Sequence, residues 1–471
     1  MKRGFLQRRS VLPLISLVGG LFHIFATWGY ADTDGAPLFK EMGARFNELT
    51  EKHSGHPGWE EAREFFGNPD GAPGEDLLFL LGEMDSLFDL LEQAVAADVF
   101  SRPPPEAYLP DKMIPEVNEA RQFAPFIWAK IHILEETGEI QEAQDLLWQF
   151  RHVFLQSLTP GTTIEFLTYS ATQRERYAQM YRVLAAQRRE ENLATQVSFL
   201  ERHPSFLEWL EPEKWYQLNS VDLIFGEDVK EAFAMGNEKL LEALEENNER
   251  HQAVRKLIQE NTFFNANRWT KSIRRAIRSY HEELSPALEG SSEEYRIWKD
   301  SRIEHWERLL QNRDPREISA YIEKSLDDIL TKENLTQDDL LRLDQEVMNF
   351  FKGTYFLIIM PAWEMPANLH RMLLASERLL AIELAAGLYK ERHGHRPERL
   401  EKLQAEKLLG PDHLTDPLSG EFFRLRTEPS WQPYSIGVNR EDNGGIYLNW
   451  QDSRRGKEGD LLLFPPFPER R

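Results

Sequence analysis

The sequence predicts a mainly α fold: a domain of irregular helical hairpins over 32–365, then a small α+β domain over 366–471. Three observations predict it. Apolar residues recur three and four apart through most of 36–360, the spacing of amphipathic helices. Proline and glycine clusters punctuate those runs, as in Gly71-Ala72-Pro73-Gly74 and Pro103-Pro104-Pro105. In the last ninety-odd residues the pattern changes to short stretches separated by Asp-Pro and Gly turns, which reads as a small antiparallel sheet. Hydrophobic content of 41% and charged content of 28% are those of a folded chain rather than a disordered one. At 471 residues it is too long for one ordinary core.

The N-terminus has three parts. Met1 to Arg9 is basic, Val11 to Trp28 is mostly apolar, and Gly29-Tyr30-Ala31 offers small residues before the polar run that starts at Asp32. That is the order of a secretory signal, so 1–31 is expected to be a signal peptide, with mature protein starting near Asp32 in the periplasm or outside the cell. The alternative is an uncleaved inner-membrane anchor over residues 10–28, the only route to membrane contact in this reading.

The first strong helix is expected over Glu75–Ala97, with Leu77, Leu78, Leu81, Met84, Leu87, Phe88 and Leu91 on one side. Pro115–Thr137, the turn at Gly138, and Glu139–Leu158 follow as a helical hairpin. Ala143 is placed against the partner helix, because a small residue lets two helices approach. Further helices are expected over 162–188, 228–260, 268–288, 292–311, 315–330 and 337–360. The segment 201–226, with Pro204 and Pro212, is expected as an irregular connection. Phe350–Met360 is apolar but short, carries Lys352 and stops at Pro361, so it is expected as a buried helix end. A last helix begins after Pro366, with Met372, Ala375, Leu379, Ile382, Ala386 and Tyr389 as a heptad-type seam. Strands are expected near Phe422–Arg426, Tyr434–Val438, Gly445–Trp450 and Asp460–Phe464.

Net charge is −22, a field that repels nucleic-acid phosphates and anionic lipid and suits divalent cations or basic protein partners. There are no cysteines, which excludes disulfides, thiolate metal sites and thiol nucleophiles. No G-x-S-x-G, H-E-x-x-H, P-loop or dinucleotide fingerprint is present, and no acid pair stands out as a general acid and base. The expectation is therefore a protein-binding or scaffold role rather than an enzyme, with a periplasmic hydrolase as one alternative. His53-Ser54-Gly55-His56 and His393-Gly394-His395 each offer two imidazoles where zinc takes three or four ligands, so they read as solvated loop histidines. Lys271, Arg274, Arg275 and Arg278 make a basic helix face. It reads as paired with acids of 282–294, with anion docking as the alternative.

Residues 123–160 resemble one tetratricopeptide-type hairpin, without a second copy at that period. The helix running into Glu391-Arg392-His393-Gly394-His395-Arg396-Pro397, the turn Thr415-Asp416-Pro417-Leu418-Ser419-Gly420, the loop Tyr434–Gly445 and Gly459-Asp460-Leu461 resemble, in order, the C-terminal half of the type II secretion major pseudopilin. The resemblance covers about 376–465. It implies a helix packed across a small sheet, and an assembly subunit of a secretion or pilus-like system as a further alternative. It also implies a Ca²⁺ loop whose matching ligands are the Ile436 carbonyl, Asn439, Asp442 and Asp460. Asn439 stands where that family has aspartate, and Glu441 or Asp452 is the compensating acid. The N-terminus departs from the family: Arg9 occupies the place of its glutamate after the prepilin cut. The whole chain also resembles large exported helical proteins of bacteria with elaborate envelopes, which implies location and architecture and no activity.

Overall fold

A computed structural model describes residues 37–67, 72–97, 115–158, 163–173, 176–187, 189–200, 205–224, 266–289, 292–310, 337–447 and 459–463. The expected signal segment 1–31 and the helices expected over 228–260 and 315–330 lie outside these. The described chain is mainly helical with one three-stranded antiparallel sheet. Among the described residues no helix is long and apolar enough to cross a membrane.

The described residues begin with four short helices: α1 (Pro37–Lys52), α2 (Gly58–Gly67), α3 (Glu75–Glu83) and α4 (Asp85–Ala97). The single helix expected over Glu75–Ala97 is two, because the chain turns at Met84, whose N–H bonds back to the Leu81 carbonyl at 3.1 Å. These helices pack on α5 (Pro115–Thr137), where Phe46 meets Phe123 and Phe126 at ring separations of 5.6 and 6.3 Å. Gly138 ends α5 with φ 83, a left-handed turn that glycine enters without strain. The chain returns as α6 (Ile140–Leu158), and Ala143 is fully buried.

Next come α7 (Thr163–Gln173) and α8 (Tyr177–Ala186), where one helix over 162–188 was expected. Between them the buried Arg176 donates Nη2–H to the Phe65 carbonyl at 2.7 Å, tying this break to α2. Two further helices are α9 (Glu190–Leu200) and α10 (Phe206–Ile224). The latter corrects the irregular connection expected over 201–226. Pro212 lies inside the helix, where it costs about 3 kcal/mol. Phe206, Trp209, Leu218 and Val221 are all buried, and that apolar face outweighs the local loss. α11 (Ala266–Glu289) and α12 (Ser292–Leu310) follow as expected.

The largest correction concerns α13 (Gln337–His393), a continuous helix of 57 residues. A break was expected at Pro361–Pro366, and the boundary drawn at 365/366 falls inside this helix. Packing along its length holds it through both prolines: Phe356 stacks on Trp306 of α12 at 4.3 Å, and Trp363 meets His281 of α11 at 5.9 Å. The expected seam Met372, Ala375, Leu379, Ile382, Ala386 and Tyr389 is buried, but so are Leu373, Leu380, Ala381, Leu384, Ala385 and Leu388. A helix apolar all round is a central one. Helices α7, α8 and α9, the pair α11 and α12, and the sheet with α14 (Glu401–Ala405) and α15 (Pro411–Leu414) all pack on it.

The sheet has the order β1 (Arg424–Arg426), β2 (Gln432–Ser435), β3 (Leu461–Leu462), with Arg424 opposite Tyr434 and Tyr434 opposite Leu462. The strand expected over Tyr434–Val438 ends at Ser435, because Gly437 turns off the sheet at φ 73. In the strand expected over Gly445–Trp450, Tyr447 makes an isolated bridge to Asp460, and 448–450 lie outside the described residues.

Candidate functional site

The loop that leaves β2 and returns to β3 holds the sequence-predicted ligands. Three aspartates shape it, all by accepting hydrogen bonds from donors in or beside the loop. Asp416, buried in the turn before β1, accepts the Leu418 N–H at 2.9 Å and the Ser435 and Ser419 hydroxyls at 2.9 and 3.2 Å. The Ile436 N–H also points at it. Burial holds the Asp416 carboxyl above its ordinary range, opposed by these donors.

Asp460 is fully buried before β3 and accepts Gly445 N–H at 2.7 Å and Asn443 N–H at 3.3 Å, one on each oxygen. Burial raises its pKa and the charge of Asp442 adds to the rise, while the two N–H donors oppose it. Gly445 has φ 75, and a Cβ there would meet the Arg426 guanidinium at 3.3 Å, so both backbone and space call for glycine. Asp442 is exposed. Its Oδ1 accepts the Tyr434 hydroxyl and the Gly444 N–H, each at 2.9 Å, and Arg424 Nε lies 3.8 Å from Oδ2. Burial, then this carboxylate, pushes the Tyr434 phenol up to about 12.

Asn439 Oδ1 accepts the Glu441 N–H at 3.3 Å, and its amide donates to Asn443 Oδ1, also at 3.3 Å. Asn443 Oδ1 takes the Gly459 N–H at 2.7 Å. The fold thus brings Asp442 and Asp460 onto one three-residue stretch, 443–445, and links Asn439 to it through Asn443. Ile436 sits at the other end, held by Asp416. Asp452 lies outside the described residues. Asp416, Tyr434, Arg424 and Asn443 are the partners that sequence reasoning missed. Asp416 was read only as half of a turn dipeptide, and the companion Ser435 carries no periodic signal.

The donor set is oxygen throughout, the class that Ca²⁺ takes. Two carboxylates in one loop, one of them buried, leave negative charge that a divalent ion would neutralise. The backbone N–H groups occupy part of each carboxylate, and Arg424 supplies some countercharge. Among the described residues no cluster of three or more His, Asp or Glu is placed to hold a metal. Any ion here therefore relies on amide and carbonyl oxygens as well as Asp442 and Asp460.

His53 and His56 are partly buried, whereas His393 and His395 are exposed, as expected of loop histidines. His53 Nε2 lies 3.0 Å from Glu83 Oε2, His56 accepts the Gly58 N–H at 3.2 Å, and both rings pack on Phe79. His393 lies 3.5 Å from Glu406, and His395 Nδ1 lies 2.9 Å from the Arg396 carbonyl.

No family model, curated protein or solved structure matches the chain. The resemblances to pseudopilins and to tetratricopeptide hairpins therefore rest on the residues quoted for them.

Proposed function

We propose that this chain is an exported cell-envelope protein that works by binding another protein. The observation that carries the reading is the outer face of α3. Glu75, Leu78, Phe79 and Gly82 follow at helical spacing and share that face. Leu78 is 45% and Phe79 49% exposed, high for large apolar side chains. Gly82 beside them has no conformational need for glycine, and a Cβ there would meet nothing within 4 Å. A bare backbone next to two apolar side chains is where a partner's helix approaches closely. Glu75 and Asp76 rim the face and suit a partner with a basic flank, while Glu83 is paired with Lys52. The basic, apolar and small-residue order of 1–31 supports export.

A photo-crosslinking residue in place of Phe79, in cells, tests both halves. The expected result is one discrete adduct in the envelope fraction, lost in Gly82→Leu, with mature protein starting near Asp32. Soluble cytoplasmic protein with Met1 intact, or no adduct, sinks the reading.

A second reading, a subunit related to a type II secretion or pilus-like assembly, is favoured by the sheet packed on α13 and by the Asp442–Asp460 loop. It predicts adducts from Phe422 and Ile446, which are 39% and 64% exposed, instead of from Phe79.

A further inference from the structure

The basic face of α11 stands apart from the α3 face and from the aspartate loop. Lys271, Arg275 and Arg278 are exposed at intervals of four and three, so they line one side over about 10 Å of helix. Pairing with the acids of 282–294 was expected, and Glu283, one of those acids, is committed elsewhere. Glu283 pairs with Arg302 of α12. Arg274 turns inward, its Nε donating to the Leu218 carbonyl at 3.3 Å, and Arg268 pairs with Asp344. Among the described residues Lys271, Arg275 and Arg278 form no ion pair.

Helix α13 adds a fourth cation. The two helices lie side by side, with Arg268 on Asp344, Tyr280 5.3 Å from Phe356, and His281 5.9 Å from Trp363. That register sets Lys352 against Arg275. Lys352 is half-buried, and burial, then the Arg275 charge, lowers its pKa. A desolvated ammonium beside a guanidinium is unfavourable for the chain alone, and an anion between them would relieve it.

We propose that Lys271, Arg275, Arg278 and Lys352 bind a phosphate-bearing ligand, as free oligophosphate or as anionic lipid headgroups. Guanidinium forks match phosphate oxygens in bidentate pairs, and the ammonium groups add point charges. A row of about 10 Å spans more than one phosphate. Ile273 and Ile277 of the same helix are buried, so the face offers charge without an apolar wedge and docks on a surface rather than inserting. The net charge of −22 repels anions at long range, so binding depends on contact and weakens as salt rises.

Two probes test this on the full chain: sodium tripolyphosphate by calorimetry, and phosphatidylcholine vesicles with or without phosphatidylglycerol by co-sedimentation. Arg275→Gln with Arg278→Gln is expected to weaken tripolyphosphate roughly tenfold or more. Lys352→Met is expected to weaken it too, without lowering the melting temperature, because it removes a half-buried cation. Arg189→Gln, on α9's exposed end, leaves binding unchanged. Vesicle binding that needs phosphatidylglycerol and fails in the same variants assigns the headgroup, and tripolyphosphate binding alone assigns the free ligand. The proposal is overturned if neither probe binds, or if binding survives both the arginine pair and Lys352→Met.

Discussion

Arg151 of α6 and Glu377 of α13, 226 residues apart in the chain, meet at 2.6 Å with both side chains buried. The guanidinium also donates to Gln173 Oε1 at 3.2 Å and lies 5.4 Å from the Phe199 ring. Tyr169 and Tyr177 face the same pair, and burial pushes both phenols well above their ordinary range. Five helices, α6 to α9 and α13, therefore converge on one charge pair. That pair fixes the register of the hairpin layer on the central helix.

Removing one partner leaves the other charge buried and alone. Arg151→Met or Glu377→Gln should each cost about 3–5 kcal/mol, whereas Arg151→Met with Glu377→Met should recover most of the loss. Urea unfolding of the three variants measures this. Single variants within error of the parent would mean that water reaches the pair.

Neither residue was legible in the sequence, and the reason is physical. A buried ion pair between segments 226 positions apart leaves no periodic mark. What periodicity does mark, it marked well: α5, α6, α11 and α12 begin and end near their expected bounds, because Gly138 and the apolar spacing act within a few residues. Pro212 and Pro361 misled, because local breakers lose to packing on both sides of a helix, and packing is decided by distant chain. At the candidate loop, Asp442 and Asp460 were named only through the resemblance to pseudopilins. The role of Asp416 was not legible, since it comes from the side-chain hydroxyl of Ser435 on a neighbouring strand.

Ala143 sits fully buried where α6 packs on α5. Ala143→Phe should overpack that contact and destabilise the chain by about 1–3 kcal/mol. Ala143→Gly, which adds no volume, should cost about 1 kcal/mol through helix propensity alone. A thermal melt of Ala143→Phe that matches the parent would move the hairpin contact elsewhere.

His281 gives the helical layer a pH dependence. Its ring is buried between α10 and α11, with Nε2 3.0 Å from Gln217 Oε1, and burial, then Lys214, lowers its pKa to about 3. The unfolded value is about 6.5, so below that pH the unfolded chain binds the proton that the folded chain refuses. Stability supplied by the neutral ring is complete above about pH 6.5 and is lost as pH falls toward 3. Each pKa unit is worth about 1.4 kcal/mol, so the loss across the window is several kcal/mol. His281→Gln, which does not titrate, should flatten this part of the stability profile. An equal slope in the variant would assign the acid sensitivity to other groups.

Calcium is the sharpest test of the aspartate loop. Binding only to the folded state raises stability by RT ln(1 + [L]/Kd), about 2.7 kcal/mol at a hundredfold excess over Kd. The neutral Asn439 and the nearby Arg424 place affinity at the weak end, roughly 10⁻⁴–10⁻³ M, so millimolar ion outside the cell would fill the loop and cytoplasmic ion would not. Proton and cation compete for the same oxygens. Asp460 has a folded pKa above its unfolded value, so its ionisation at neutral pH costs stability, and that cost disappears as pH falls through the raised pKa. The calcium increment should therefore be largest near neutral pH and vanish in acid. Melts of the full chain with calcium and with chelator measure it, because α13 continues past residue 366 and ties the loop to the helical layer. Asp442→Asn keeps an acceptor for Tyr434 and Gly444 while removing the charge, and should abolish the increment with little change in the chelated melt. If calcium leaves the parent melt unmoved at every pH, the three aspartates serve only to accept the chain's own N–H and O–H groups, and the calcium that the pseudopilin resemblance implies is not bound.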